Sequence, residues 1–140
     1  MKRRTFLLLA LMPSMAHAHS YKLGDIAIGH AWGLPSKDGE TQIFMPLFNS
    51  GSTTERLVSV SCEFAKSAEL RINNEYTTPA EAGFMLEPKK PFPMRPTANH
   101  IRLMGLTKPL LAGDHISIIL KIMTAGETKI EVHIQHRAGE

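Results

Sequence analysis

Residues 115–122 read His-Ile-Ser-Ile-Ile-Leu-Lys-Ile, and residues 126–134 read Gly-Glu-Thr-Lys-Ile-Glu-Val-His-Ile. In both segments apolar side chains alternate with polar ones, the pattern of a β-strand with one face on a core and the other in solvent. The turn-forming run Leu111-Ala112-Gly113-Asp114 precedes the first segment. These two strands are the clearest in the chain, and they predict a sheet.

The rest of the chain also favours strands. A first strand is predicted with Ile26, Ile28, His30 and Trp32 on one side. Further strands are predicted over residues 41–49, 56–62, 68–73 and 100–106. Prolines crowd the segment 74–96, which can hold only a short hairpin around residues 84–86. With no amphipathic helix evident, we predict an all-β fold, an antiparallel sandwich.

Residues 1–18 have the layout of a cleavable signal peptide: three basic residues, a short apolar stretch and the ending Ala16-His17-Ala18. The apolar stretch is too short to span a bilayer as a helix. We expect cleavage after Ala18 and export to the periplasm, leaving His19 as the first residue of a single domain over 19–140. No cysteine lies near the cleavage point for lipid attachment, so we expect that the mature protein is not embedded in the membrane. We also expect it to be a monomer.

Composition excludes several classes of function. The formal net charge of +3 comes from the leader, because without its three basic residues the chain has 13 basic and 13 acidic side chains. A chain with this charge balance lacks the excess of basic residues with which proteins bind nucleic acid. Cys62 is the only cysteine, so the fold has no internal disulfide. Because no recognised catalytic motif occurs, we predict a binding protein and not an enzyme.

Histidine and methionine are the remaining candidates for chemistry. Thioether sulfur together with imidazole suits Cu(I), a soft ion. Methionine is more often core filler, so Met45 and Met123, inside apolar strands, are expected to pack in the core. His115 and His133 lie on polar strand faces, where we expect solvation.

The chain resembles the periplasmic copper chaperones called PCu(A)C over nearly all of residues 19–140. The matching stretches are His19 to Ile26, Ala31-Trp32, Asn49-Ser50-Gly51, Arg56 to Val60, His100 to Leu106, Lys108-Pro109-Leu110 and Ala112-Gly113-Asp114. The resemblance implies a cupredoxin-like, Greek-key β-sandwich. It also implies a copper cargo, Cu(I) rather than Cu(II), delivered to a cytochrome oxidase subunit or another exported copper protein.

The family's copper ligands are a His, a Met and a final His-x-Met, and this sequence departs from that pattern. Arg71 stands at the first His position, Met85 is the candidate for the middle Met, His100 is the final His, and Arg102 replaces the last Met. A guanidinium stays protonated and has no lone pair for a metal. Each such charge roughly 6 Å from Cu(I) would cost about 3 kcal/mol at an effective dielectric constant near 20. The implied primary site is therefore degenerate.

Several alternatives stay open. Met104, on the same strand face, could complete a three-ligand site with Met85 and His100. The amine and imidazole of His19 could instead chelate Cu(II) after cleavage. The two arginines could bind a carboxylate or another anion, contact a partner protein, or pair with nearby glutamates on a solvated face. The functional hypotheses are accordingly a copper chaperone with a degenerate site and a metal-free adaptor in the assembly of an exported partner.

Overall fold

A computed structural model describes residues 20–72 and 78–140. Within this part the chain forms thirteen β-strands and no helix. In chain order the strands are β1 (Tyr21–Leu23), β2 (Ile26–Ile28), β3 (Ala31–Gly33), β4 (Thr41–Phe44), β5 (Leu47–Asn49), β6 (Glu55–Ser61), β7 (Ala65–Ile72), β8 (Thr78–Pro79), β9 (Phe84–Leu86), β10 (Pro91–Phe92), β11 (His100–Leu106), β12 (His115–Ile122) and β13 (Gly126–Ile134).

The strands form two sheets. The larger has the order β8-β7-β11-β4-β3-β13-β12-β6-β9, and the smaller has the order β1-β2-β5-β10. All pairs are antiparallel except β3 with β13, which run parallel. The alternating residues of β12 place Ile116, Ile118, Leu120 and Ile122 in the core, each at most 3% exposed. Burying an aliphatic side chain of this kind contributes about 1.5–3 kcal/mol. The predicted all-β sandwich is confirmed.

Two predicted strands are broken where the chain crosses from the small sheet to the large one or back. The first strand was predicted to continue through His30 to Trp32, but β2 ends at Ile28, and Ala31 and Gly33 are the buried residues of β3. The second prediction, over 41–49, divides in the same way at Met45-Pro46. Gly29 N donates a hydrogen bond of 2.9 Å to Pro46 O, so the two breaks lie side by side. Even-numbered residues point into the core before the break and odd-numbered residues after it. Continuous alternation therefore predicts the wrong side of the strand for Trp32.

The proline-rich segment does not form the predicted hairpin around residues 84–86. Its three short strands pair with other strands instead: β8 pairs with β7, the strand before it in sequence, whereas β9 pairs with the more distant β6 and β10 with the more distant β5. Met45 is buried in the core as expected, but Met123 is 53% exposed. The prediction for Met123 fails because β12 ends at Ile122 and the turn to β13 begins there.

The predicted signal peptide and His19 lie outside the described residues. Over 20–72 and 78–140, no helix has the length and apolar character needed to cross a membrane.

Candidate metal centre

One face of the large sheet presents His100 and Arg102 from β11 beside Arg71 from β7. Ile101 and Leu103 point into the core and are fully buried, so the intervening residues occupy the opposite face. Across the β7–β11 ladder, His100 pairs with Arg71 and Arg102 pairs with Glu69. Directly opposed side chains of an antiparallel pair lie about 5 Å apart at Cβ. The first family position and the final His are therefore neighbours in the fold.

The imidazole of His100 is buried and held in one tautomer. His100 is only 1% exposed, and its Nδ1 lies 2.8 Å from the carbonyl oxygen of Ala98. A carbonyl oxygen only accepts, so Nδ1–H donates and the lone pair is on Nε2. Burial lowers the pKa of His100, and the charges of Arg71 and Arg102 lower it further, against the raising effect of the Ala98 hydrogen bond. The ring is therefore neutral at neutral pH.

Each arginine beside His100 has its own carboxylate. Arg71 Nη1 lies 2.8 Å from Glu69 Oε2, and the Arg71 side chain is only 15% exposed. Arg102 Nε donates to Glu40 Oε2 at 3.1 Å, and its Nη2 contacts the same oxygen. The expectation that each arginine pairs with a nearby glutamate is confirmed. The surroundings of the imidazole contain two positive and two negative charges, and they are not a cationic patch.

A cleft of about 510 Å³ opens over this face. His100 and Arg102 line it together with residues between 34 and 42, which include Lys37 and Glu40. The lining combines apolar, acidic and basic side chains, so it does not select an anion by charge alone. It does give a ligand of modest size a place beside the imidazole.

Neither methionine candidate lines the cleft beside His100. Met104 is four residues further on β11, roughly 13 Å at the usual rise per residue, and Arg102 lies between them on the same face. Met85 is on β9, the last strand of the large sheet, paired with Arg56 and 50% exposed. It lines a separate cleft that does not include His100. The roles of Met85, Met104 and His19 as copper ligands stay predictions.

A second group of ligand-type side chains lies on β12 and β13. His115 and His133, expected to be solvated, face each other across the two strands with ring centroids 4.2 Å apart, and both contact Glu131. The polar face was predicted correctly, but the contact between the histidines was not. A hairpin register pairing Ile122 with Gly126 would have revealed it, since that register also pairs residues 115 and 133.

The comparisons with known proteins agree with this architecture. Residues 26–134 match the sequence family described as "Putative lipoprotein LpqE-like". The "Putative lipoprotein Lxx21020" of Leifsonia xyli subsp. xyli (strain CTCB07) is 26% identical over 133 residues, covering 91% of this chain and 80% of that protein.

Two solved structures show the same fold. The copper-bound PCuAC domain from PmoF2 is 25% identical with a TM-score of 0.75, over 85% of this chain and 99% of that domain. The apo PCuAC domain from PmoF1 is 25% identical with a TM-score of 0.74, over 85% of this chain and all of that domain. These matches confirm the resemblance to PCu(A)C proteins. The family match spans most of the chain, and the protein therefore belongs to the LpqE-like family, with the fold of a PCuAC domain.

Proposed function

We propose that this protein is an exported, periplasmic copper-binding protein of the chaperone type, with His100 as the central ligand of its primary site. The observation that carries the proposal is the state of this imidazole: buried, neutral, and held through Nδ1 by the carbonyl of Ala98. Histidine ligands of metals commonly donate their other ring N–H to a carbonyl or carboxylate, which fixes the tautomer and the ring orientation. A solved PCuAC domain of similar fold contains copper, which supports copper as the cargo.

The proposed cargo is Cu(I), because a site with few ligands including thioether sulfur suits this soft ion better than Cu(II). Met85 and Met104 are the candidate thioethers, and because neither lines the cleft beside His100, a site that joins one of them to this imidazole would form only on metal binding. Separate Met85→Ala and Met104→Ala variants would identify the sulfur ligand, since only the variant lacking it should lose affinity for Cu(I). The acceptor implied by the family resemblance is a cytochrome oxidase subunit or another exported copper protein.

A competition titration with a Cu(I) chelator tests the primary site. We expect His100→Ala to raise the Kd for Cu(I) at least 100-fold, about 2.7 kcal/mol, because it removes the preoriented imidazole on which the proposed site is built. His136→Ala is the matched control, as its side chain is exposed near the C-terminus and outside the site. Equal Kd values for wild type and His100→Ala would refute copper binding at this site.

A second candidate function is that of a metal-free adaptor that contacts an exported partner through this face. The observation that favours it is the presence of ion-paired arginines at two positions where the family has ligands. Elemental analysis of protein purified from the periplasm separates the two functions. The chaperone should contain copper in a near-stoichiometric amount that His100→Ala abolishes, whereas the adaptor should contain none and be unaffected by added copper.

A further inference from the structure

Two histidines and a glutamate meet on the solvent-facing side of β12 and β13. His115 and His133 are directly paired across the strands, and Glu131 is on the same face of β13, two residues before His133. One donor atom from each of the three lies within 4.8 Å of the others. Their side chains are 53%, 27% and 34% exposed for His115, His133 and Glu131, so an ion can reach them from solvent.

The distances within this cluster are close to those of a coordination shell. Neighbouring donors bound to one ion at about 2.0–2.1 Å lie about 2.9 Å apart in a square-planar arrangement and about 3.3 Å apart in a tetrahedral one. Glu131 Oε1 and His133 Nε2 are 3.3 Å apart. Glu131 Oε1 and His115 Nδ1 are 2.5 Å apart, a hydrogen bond whose proton a metal ion would replace on binding. Small side-chain rotations would bring all three donors onto one ion.

A third imidazole stands next to the cluster. His30 immediately precedes β3, which runs parallel to β13 with Ala31 opposite Val132. This register places His30 beside Glu131, on the same face. The ring centroids of His30 and His133 are 4.9 Å apart, with the planes inclined by 73°. Three adjacent strands of the sheet thus contribute to one group of three imidazoles and one carboxylate.

We propose that His30, His115, Glu131 and His133 bind a divalent first-row metal ion, with Cu²⁺ preferred over Zn²⁺. Imidazole suits both ions, and nitrogen and oxygen ligands of this kind favour Cu²⁺ in the usual order of affinities. The carboxylate offsets part of the charge of the ion, and the group contains no thioether to favour Cu(I). This site is independent of copper binding at His100.

The cluster shares a row of the large sheet with His100. Reading across the sheet, His100 lies next to Phe44, Phe44 pairs with Trp32, and Trp32 pairs with His133. The ring centroids of Trp32 and Phe44 are 4.5 Å apart. At about 4.8 Å per strand, three strand spacings separate His100 from His133, roughly 14 Å. The two positions are therefore distinct sites on one face, separated by two aromatic side chains.

Trp32 provides the readout, because it is the only tryptophan of the chain and is paired with His133. Paramagnetic Cu²⁺ bound at the cluster should quench its fluorescence with a stoichiometry of one, and electron paramagnetic resonance should show coupling to at least two imidazole nitrogens. We expect His115→Ala and the nearly isosteric Glu131→Gln each to raise the Kd for Cu²⁺ at least tenfold. Exposed or partly exposed positions make both variants compatible with folding.

The controls address histidines outside the cluster. His136→Ala, at an exposed histidine outside both sites, should leave the Cu²⁺ affinity within twofold of wild type. Retention of wild-type affinity in the His115→Ala/Glu131→Gln double variant would overturn the proposal. Loss of binding in His19→Ala with no effect of His115→Ala would also overturn it, since the ion would then be bound by the N-terminal amine and imidazole.

Discussion

Replacing the two arginines beside His100 asks whether missing donor atoms or positive charge limits copper affinity. In the ligand variant, Arg71→His and Arg102→Met restore the family's residue types, while Glu69→Gln and Glu40→Gln remove the counter-charges. The control variant carries glutamine at all four positions. Both proteins then lack the two ion pairs, and they differ only in the imidazole and the thioether.

The magnitudes follow from the ion pairs. A guanidinium roughly 6 Å from Cu(I) costs about 3 kcal/mol at an effective dielectric constant near 20, and its carboxylate, roughly 2–3 Å farther away, returns about 2 kcal/mol. Each intact pair therefore costs about 1 kcal/mol, and the two together about 2 kcal/mol. The control variant should bind Cu(I) roughly 30-fold more tightly than wild type at most. The cost of about 3 kcal/mol expected from the sequence for each arginine beside Cu(I) did not include the opposite charge of its paired glutamate.

The ligand variant should improve on the control by at least a further 100-fold, because each added donor should contribute at least tenfold, about 1.4 kcal/mol. A competition titration against a Cu(I) chelator measures the three Kd values under one set of conditions. Equal affinities of the ligand and control variants would refute the reasoning, since the charges and not the missing donors would then limit binding. An unchanged Kd in both variants would show that Cu(I) binds elsewhere.

Two further predictions concern stability. The pKa of His100 is lowered in the folded protein, so the unfolded chain binds more protons at pH values between the folded pKa and 6.5. The contribution of His100 to the free energy of unfolding should therefore be complete above pH 6.5 and be lost as the pH falls from there through the folded pKa. The loss amounts to at most about 1.4 kcal/mol per unit of pKa difference. Chemical denaturation from pH 7.5 to 5 should show a smaller decrease for His100→Gln than for wild type, and identical slopes would contradict the assignment. Gly29→Ala should lower the free energy of unfolding by about 1–3 kcal/mol, because an added Cβ would overlap the Pro46 ring. Urea denaturation measures this change, and a decrease smaller than about 0.3 kcal/mol would contradict the packing of Gly29 against Pro46.

Local patterns determined much of the fold. Strand β11 has the predicted bounds, His100–Leu106, because its alternation continues without interruption from one turn to the next. The alternation of β12 and β13 likewise identified the buried faces. The patterns failed where tertiary contacts decide the backbone path. Gly29 and Pro46 break two otherwise continuous patterns because the chain changes sheets there, and no local signal in either segment shows that the other is its neighbour.

The sequence identified the histidine and the two arginines that are neighbours on this face, but not all of their ion pairs. Family positions identified Arg71, His100 and Arg102, and the structure brings all three together. Glu69 was identifiable as a partner because it lies two residues from Arg71 on the same strand face. Glu40 is 62 residues from Arg102 in sequence, and only the pairing of β4 with β11 brings them into contact. The same limit hid the place of His30 beside the other histidines, since the pairing of β3 with β13 cannot be derived from periodicity.

The nitrogen resonances of the His100 ring, followed by NMR during a Cu(I) titration, test copper binding at this face most directly. Coordination should shift the Nε2 resonance strongly while Nδ1 keeps its proton and its hydrogen bond to Ala98, and the change should be complete at one equivalent. Unaltered His100 resonances in protein that has taken up one equivalent of Cu(I) would contradict the proposed site.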